Sequence, residues 1–229
     1  MIILKILGLT DLHTDGQIPI QTIKELIDKE EIEFIIHAGD ISTHGSSTFI
    51  RKILEEFAQI DLPQLYIPGN MDAADSGDIQ FDQIFPLHAR VKSIQGISFL
   101  GLGGSNPTPF STPNEFEEEE ITNILNNTIE QWDKKEPLFL VSHPPPKNTD
   151  ADKVRLGRHV GSQAVRIFVE QHKPIAVLCG HIHESQAICK IGSTFCINPG
   201  SAREHNAAII EVIKGKNNEI KVEGKIVSF

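Results

Sequence analysis

Apolar residues along this 229-residue chain fall into short runs separated by amphipathic stretches, the pattern of strands alternating with helices. Residues 2–9 form a β-rich run. A helix is predicted over 19–30, with Pro19 suited to its first turn and Ile20, Ile23, Leu26 and Ile27 on one face. A strand over 33–37 precedes a second helix, capped by Ser46 or Ser47, whose buried stripe is Phe49, Ile50, Ile53, Leu54 and Phe57. Residues 64–67 give a third strand. Runs at 91–94 and 97–102 flank Gln95-Gly96, a two-residue turn that predicts an antiparallel hairpin. Thr112-Pro113-Asn114-Glu115 reads as a capping box opening a helix to about Trp132, and the acidic run 117–120 then sits at the favourable end of the helix dipole with no chemistry of its own. Fully apolar runs at 138–141 and 175–178 predict buried strands. Between them Ser162 caps a helix with Val165, Phe168 and Val169 inward, and further strands are expected near 187–191, 194–197, 207–213 and 219–226. With no linker, repeat or low-complexity segment, residues 1–229 read as a single domain.

Composition narrows the function. A formal charge of -10 disfavours nucleic acid as a partner, because a phosphate-backbone binder needs an excess of Lys and Arg. The three cysteines, Cys179, Cys189 and Cys196, are odd in number and read as reduced and buried, which points to a cytoplasmic protein. Lys5 interrupts the apolar N-terminus and no small-residue cleavage site follows, so a signal peptide is not expected; nor is a membrane span, since no apolar run is long enough. The glycines at 101, 103 and 104 lack the Gly-Lys-Ser/Thr of a phosphate loop, and Pro107 and Pro109 stand where a dinucleotide fold needs a helix; they read as a loop lining a pocket. The loop before Gly161, with Arg155, Arg158 and His159, is long enough to face substrate.

Candidate chemistry recurs at one kind of position. Asp11 and His13, Asp40, Asn70, His143, and His181 and His183 each follow the end of an apolar run. In open α/β sheets the carboxyl ends of the strands share one edge, so these seven side chains are expected to converge. If the backbone stays extended past Gly180, His181 and His183 project to the same side. A set of carboxylates, an amide and imidazoles, without cysteine, suits Mn, Fe, Zn or Ni rather than a structural zinc cage. Seven ligands exceed the need of one cation. A pair of cations needs a shared carboxylate, and together they suit hydrolysis of a phosphate ester.

Asp11-Leu-His13, Gly39-Asp40, Gly69-Asn70, His143 and Gly180-His-Ile-His183 resemble, in order, the five motifs of the calcineurin-like metallophosphoesterases, in particular its small prokaryotic-type branch. The resemblance implies an α/β fold, a four-layer α/β/β/α sandwich with two mixed sheets flanked by helices. It implies two divalent metal ions, with Mn expected: one held by Asp11, His13, Asp40 and His183, the other by Asp40, Asn70, His143 and His181. Asp40 would bridge them, opposite a nucleophilic hydroxide, and Asp40, Asn70 and His143 would be catalytic. The substrate would be a small phosphate mono- or diester. Met71 departs from the pattern, since many members carry a histidine there that contacts phosphate and protonates the leaving group, steadied by the residue matching Asp72. Either His44, His159 or Arg203 substitutes for it, or these three are ordinary surface residues and catalysis is restricted. The alternative to an enzyme is a protein-interaction scaffold on the same fold, resembling the retromer metallophosphoesterase-like subunit, which also lacks that histidine.

Overall fold

In the computed structural model, which describes residues 2–43, 45–215 and 219–229, the apolar runs become central strands buried on both faces. β1 (Ile2–Leu9), β2 (Phe34–Ala38), β3 (Gln64–Ile67) and β4 (Ile84–Pro86) run parallel, and antiparallel β11 (Asn206–Lys214) and β12 (Ile220–Ser228) extend the sheet beyond β1. The second sheet contains β5 (Val91–Ile94), β6 (Ile97–Leu102), β7 (Leu138–Ser142), β8 (Ala176–Leu178), β9 (Ala187–Ile191) and β10 (Thr194–Asn198). Its order is β5-β6-β7-β8-β10-β9, with antiparallel strands at both edges. Among the described residues these two mixed six-stranded sheets are accompanied by four α-helices: α1 (Ile20–Glu30), α2 (Ser47–Phe57), α3 (Glu118–Ile129) and α4 (Gln163–His172).

Side-chain alternation along the strands builds three apolar layers. Leu7, Ile35 and Tyr66 pack with Ile23 of α1 and Leu54 of α2. Their neighbours Ile6, Phe34, Ile36 and Leu65 point the other way and meet Phe99, Phe139 and Leu178 of the second sheet. Leu140 and Val177 then pack with Ile121 of α3 and Val165 and Phe168 of α4. The result is the expected four-layer α/β/β/α sandwich.

Several local expectations change. β4 has no counterpart in the sequence reading: it is three residues long, ends in proline, and survives because it lies at a sheet edge. α3 begins at Glu118, not near Thr112, with Glu117 as its N-cap in a box with Glu120. The Thr112 amide and hydroxyl do donate to Glu115, at 2.7 and 2.5 Å, but Thr108 donates to the same carboxylate and closes a loop instead of opening a helix. The acidic run has an unforeseen task, since Glu118 accepts from Ser162 Oγ and the amides of Gln163 and Ala164 at the start of α4. Gly101 lies within β6 instead of a loop, and a Cβ at Gly101 or Gly103 would overlap the carbonyls of Leu87 and Pro68, so these two glycines serve close packing. All three cysteines are free, Cys179 and Cys196 buried and Cys189 half-buried. No helix among the described residues is long and apolar enough to cross a membrane.

One buried polar residue in this scaffold titrates. His37 of β2 lies edge-on to Phe57, and its Nε2 meets Gln64 Oε1 at 2.8 Å. Burial pushes its pKa from 6.5 down to about 4. The folded chain therefore resists a proton that the unfolded chain accepts near 6.5, so this contribution is complete above that pH and is lost as pH falls toward 4. The loss amounts to about 3 kcal/mol. Urea unfolding of wild type and His37→Gln across this window is expected to give profiles that converge as the pH falls; parallel profiles would contradict the assignment.

Candidate metal centre

The parallel strands of both sheets end at one edge, and the two edges meet there. Asp11 follows β1, Asp40 follows β2 and Asn70 follows β3, while His143 follows β7 and His181 and His183 follow β8. Beyond their strands the first two segments remain paired, with the Asp11 amide donating to Gly39 O and the His13 amide to Asp40 O, each at 2.9 Å. The close approach demands glycine. A Cβ on Gly69 would overlap Asp40 Oδ1, and one on Gly180 would overlap Thr10 Oγ1.

The seven side chains gather around two points. Ligand atoms of Asp11, His13 and His183 lie within 4.8 Å of one another, and so do those of Asp40, His143 and His181. His13 Nε2 and His183 Nε2 are 3.1 Å apart, and His183 Nε2 is 3.0 Å from Asp11 Oδ1. Asn70 joins the second group through Oδ1, 3.0 Å from His143 Nε2. Asp40 Oδ2 lies between the groups, 3.5 Å from His13 Nε2 and 3.4 Å from His143 Nε2. His181 and His183 do not share one side of an extended strand. His181 has φ 67° and His183 opens a short helical turn, so the two imidazoles separate, one to each group. Asp11, His13 and Asp40 also adopt left-handed backbone, with φ of 54°, 43° and 52°. Four strained positions in one site mark a constrained, functional geometry.

The donor set fits cations. His143 Nδ1 faces the Ala38 carbonyl at 2.8 Å and must donate to it, which leaves Nε2 facing the oxygens of Asn70 and Asp40. Lone pairs then confront lone pairs unless a positive charge sits among them. Without a cation a proton takes that place: burial alone would depress the His143 pKa, but the Asp40 carboxylate raises it to about 9. His181, half-buried and partly desolvated beside that imidazolium, is held down to about 4. Burial raises the pKa of Asp11, but the hydrogen bond from His183 and the surrounding imidazoles lower it further, so it stays ionised at 1% exposure.

Residues outside the seven hold the arrangement. Asp72 is fully buried and accepts from the amides of Gly69, Ile41 and Ser42 at 2.8, 3.1 and 2.9 Å, clamping the Asp40 segment to the Asn70 segment. Thr112 Oγ1 accepts from Asn70 Nδ2 at 2.9 Å and so turns Asn70 Oδ1 toward His143. Ser201 Oγ donates to Asp11 O at 2.6 Å, and Asn198 Nδ2 to Ile182 O at 3.0 Å. Thr112, Asn198 and Ser201 look in sequence like ordinary loop residues, and only their partners distinguish them. Met71 lines a cleft beside the ligands. Of the suggested substitutes for a histidine there, His159 Nδ1 is engaged by buried Asp152 at 2.6 Å, and Arg203 lines an adjoining cleft with His13. His44 lies outside the described residues.

Comparisons with known proteins give the family and the fold. A family model described as calcineurin-like phosphoesterase matches residues 4–185. An uncharacterized protein of Methanocaldococcus jannaschii is 40% identical over 202 residues, covering 86% of this chain and 88% of its own. A probable glycerophosphodiester phosphodiesterase of Arcobacter nitrofigilis is 23% identical over 176 residues, 68% of this chain but only 58% of that longer relative. TT1561 of Thermus thermophilus has the same fold, with a TM-score of 0.68 at 16% identity, covering 97% of this chain and 99% of its own.

The glycine requirement gives a direct test. Gly69→Ala forces Asp40 and its backbone to move and is expected to cost at least about 2 kcal/mol. Gly77→Ala, where an added Cβ meets nothing closer than 3.7 Å, should change stability by less than about 0.5 kcal/mol. Chemical denaturation of both variants measures the difference, and equal midpoints would contradict the packing described for Gly69.

Proposed function

Because the chain belongs to the calcineurin-like phosphoesterase family, we propose that it is a hydrolase acting on small phosphate mono- or diesters with two divalent cations, manganese first among Mn, Fe, Zn and Ni. The whole of residues 1–229 forms this one catalytic domain. The observation that carries the reading is the place of Asp40 Oδ2, within 3.5 Å of an imidazole from each group, where one carboxylate serves both cations.

In this reading Asp11, His13 and His183 hold one cation, Asn70, His143 and His181 hold the other, and Asp40 is shared. The bound cations would supply charge neutralisation at the phosphoryl oxygens and an acidified water. The chain does the positioning. The Ala38 carbonyl fixes the His143 tautomer, the Thr112 hydroxyl fixes the Asn70 amide, and the His181 amide fixes Asp11. A diester substrate accords with the name of the Arcobacter relative. A scaffold has no physical need for two converging ligand groups, which favours hydrolysis over the interaction role.

Met71 cannot donate a proton, so the leaving group must depart as a stable anion. Esters of acidic, aryl-type alcohols should be hydrolysed and alkyl esters only slowly, the difference reflecting general-acid help typically worth ~100- to 10,000-fold. Met71→His is expected to accelerate poor leaving groups more than good ones, measured on esters of graded leaving-group pKa; a shallow dependence in wild type would show that another residue already acts as acid.

Metal content tests the site itself. Wild type should bind two equivalents of Mn by calorimetry, His183→Ala chiefly lose one, and Asp40→Asn weaken both along with hydrolysis. Two tight equivalents and full activity in Asp40→Asn would overturn the shared-carboxylate reading.

A further inference from the structure

The cleft beside the two ligand groups has a composition that the hydrolytic chemistry does not require. It encloses about 930 Å³, with His13, Asp40, Asn70, His181 and His183 at one end. That volume suits an organic molecule much larger than phosphate. One wall is the loop bearing Pro107, Pro109, Phe110 and Pro113, and the facing wall carries Val154 and Val160. Phe110 is 82% exposed, an aromatic ring left in water at the mouth of a reactive site.

These walls are tied to each other and to the ligands. Asn106 Nδ2 donates to Val160 O at 3.1 Å and links the two sides. The Asn114 amide donates to Asn70 O at 3.1 Å, and Thr112, anchored by Glu115, holds the Asn70 side chain. The apolar wall is thus fixed relative to a ligand of the second group. Met71 continues that wall toward the ligands with a polarizable thioether, a surface suited to aromatic rings. Arg158 also lines the cleft.

We propose that this cleft is a specificity subsite, and that the substrate is a phosphoester carrying a large apolar, preferentially aromatic, organic group that lies between Phe110 and the Val154–Val160 wall. The inference rests on the phosphoesterase reading and deepens it. It accords with Met71, because aryl-type alcohols leave without an acid.

Non-hydrolysable phosphonates separate the subsite from the chemistry. Methylphosphonate, benzylphosphonate and 1-naphthylmethylphosphonate carry the same anion with increasing apolar area, and their binding to Mn-loaded protein is measured by calorimetry. Affinity is expected to rise at least about tenfold from the first to the last. Phe110→Ala, a change at an exposed position that leaves folding intact, should shrink that ratio below about threefold, whereas Arg158→Ala should retain it. Equal affinities for all three compounds would overturn the subsite while leaving the hydrolytic reading standing. A ratio that survives Phe110→Ala, or that disappears in Arg158→Ala, would overturn it too. Failure of every phosphonate to bind the Mn-loaded protein would overturn both.

Discussion

Two carboxylates, Asp11 and Asp40, are almost wholly removed from water at the place where the two sheets meet, and burying a carboxylate is costly unless hydrogen bonds or positive charge stand beside it. Much of the surrounding structure follows from this constraint. Four imidazoles and one amide supply nitrogen and oxygen atoms around the carboxylates, but they bring too few protons to satisfy every lone pair that faces inward. Cations held by the two candidate ligand groups would complete the arrangement electrostatically. The raised pKa of His143 is the same requirement met by a proton.

Holding such groups so close needs backbone that ordinary packing would not select. Left-handed conformations at Asp11, His13, Asp40 and His181 each cost about 1–2 kcal/mol, and the cost is offset locally. Asp72 gathers amides from two strand ends, Ser201 secures the Asp11 carbonyl, and Asn198 secures the carbonyl of Ile182 between the two late histidines. The second sheet is therefore more than a cover for the first. It delivers three of the four imidazoles, while the first sheet delivers the acids, the amide and His13.

How much of this was legible in the sequence depended on whether a signal repeats. Strands buried on both faces leave continuous apolar runs, so the central strands and the edge they share could be read, and with them all seven candidate ligands. Signals made of one side chain were ambiguous. Thr112 and Glu115 have the chemistry of a helix cap and of a closed loop alike, and Thr108, four residues upstream, decided for the loop. The parting of His181 from His183 depends on a positive φ at a residue other than glycine, which no residue type announces. The role of Asp72 was hidden because its partners are backbone amides, which every residue but proline carries.

On the proposed reading one carboxylate, Asp40, is shared by two cation sites. Anomalous diffraction from crystals of the Mn-loaded protein tests it most directly. Two anomalous peaks are expected, one among Asp11, His13 and His183 and one among Asn70, His143 and His181, both in contact with Asp40. A single peak, or two peaks of which only one touches Asp40, would contradict it.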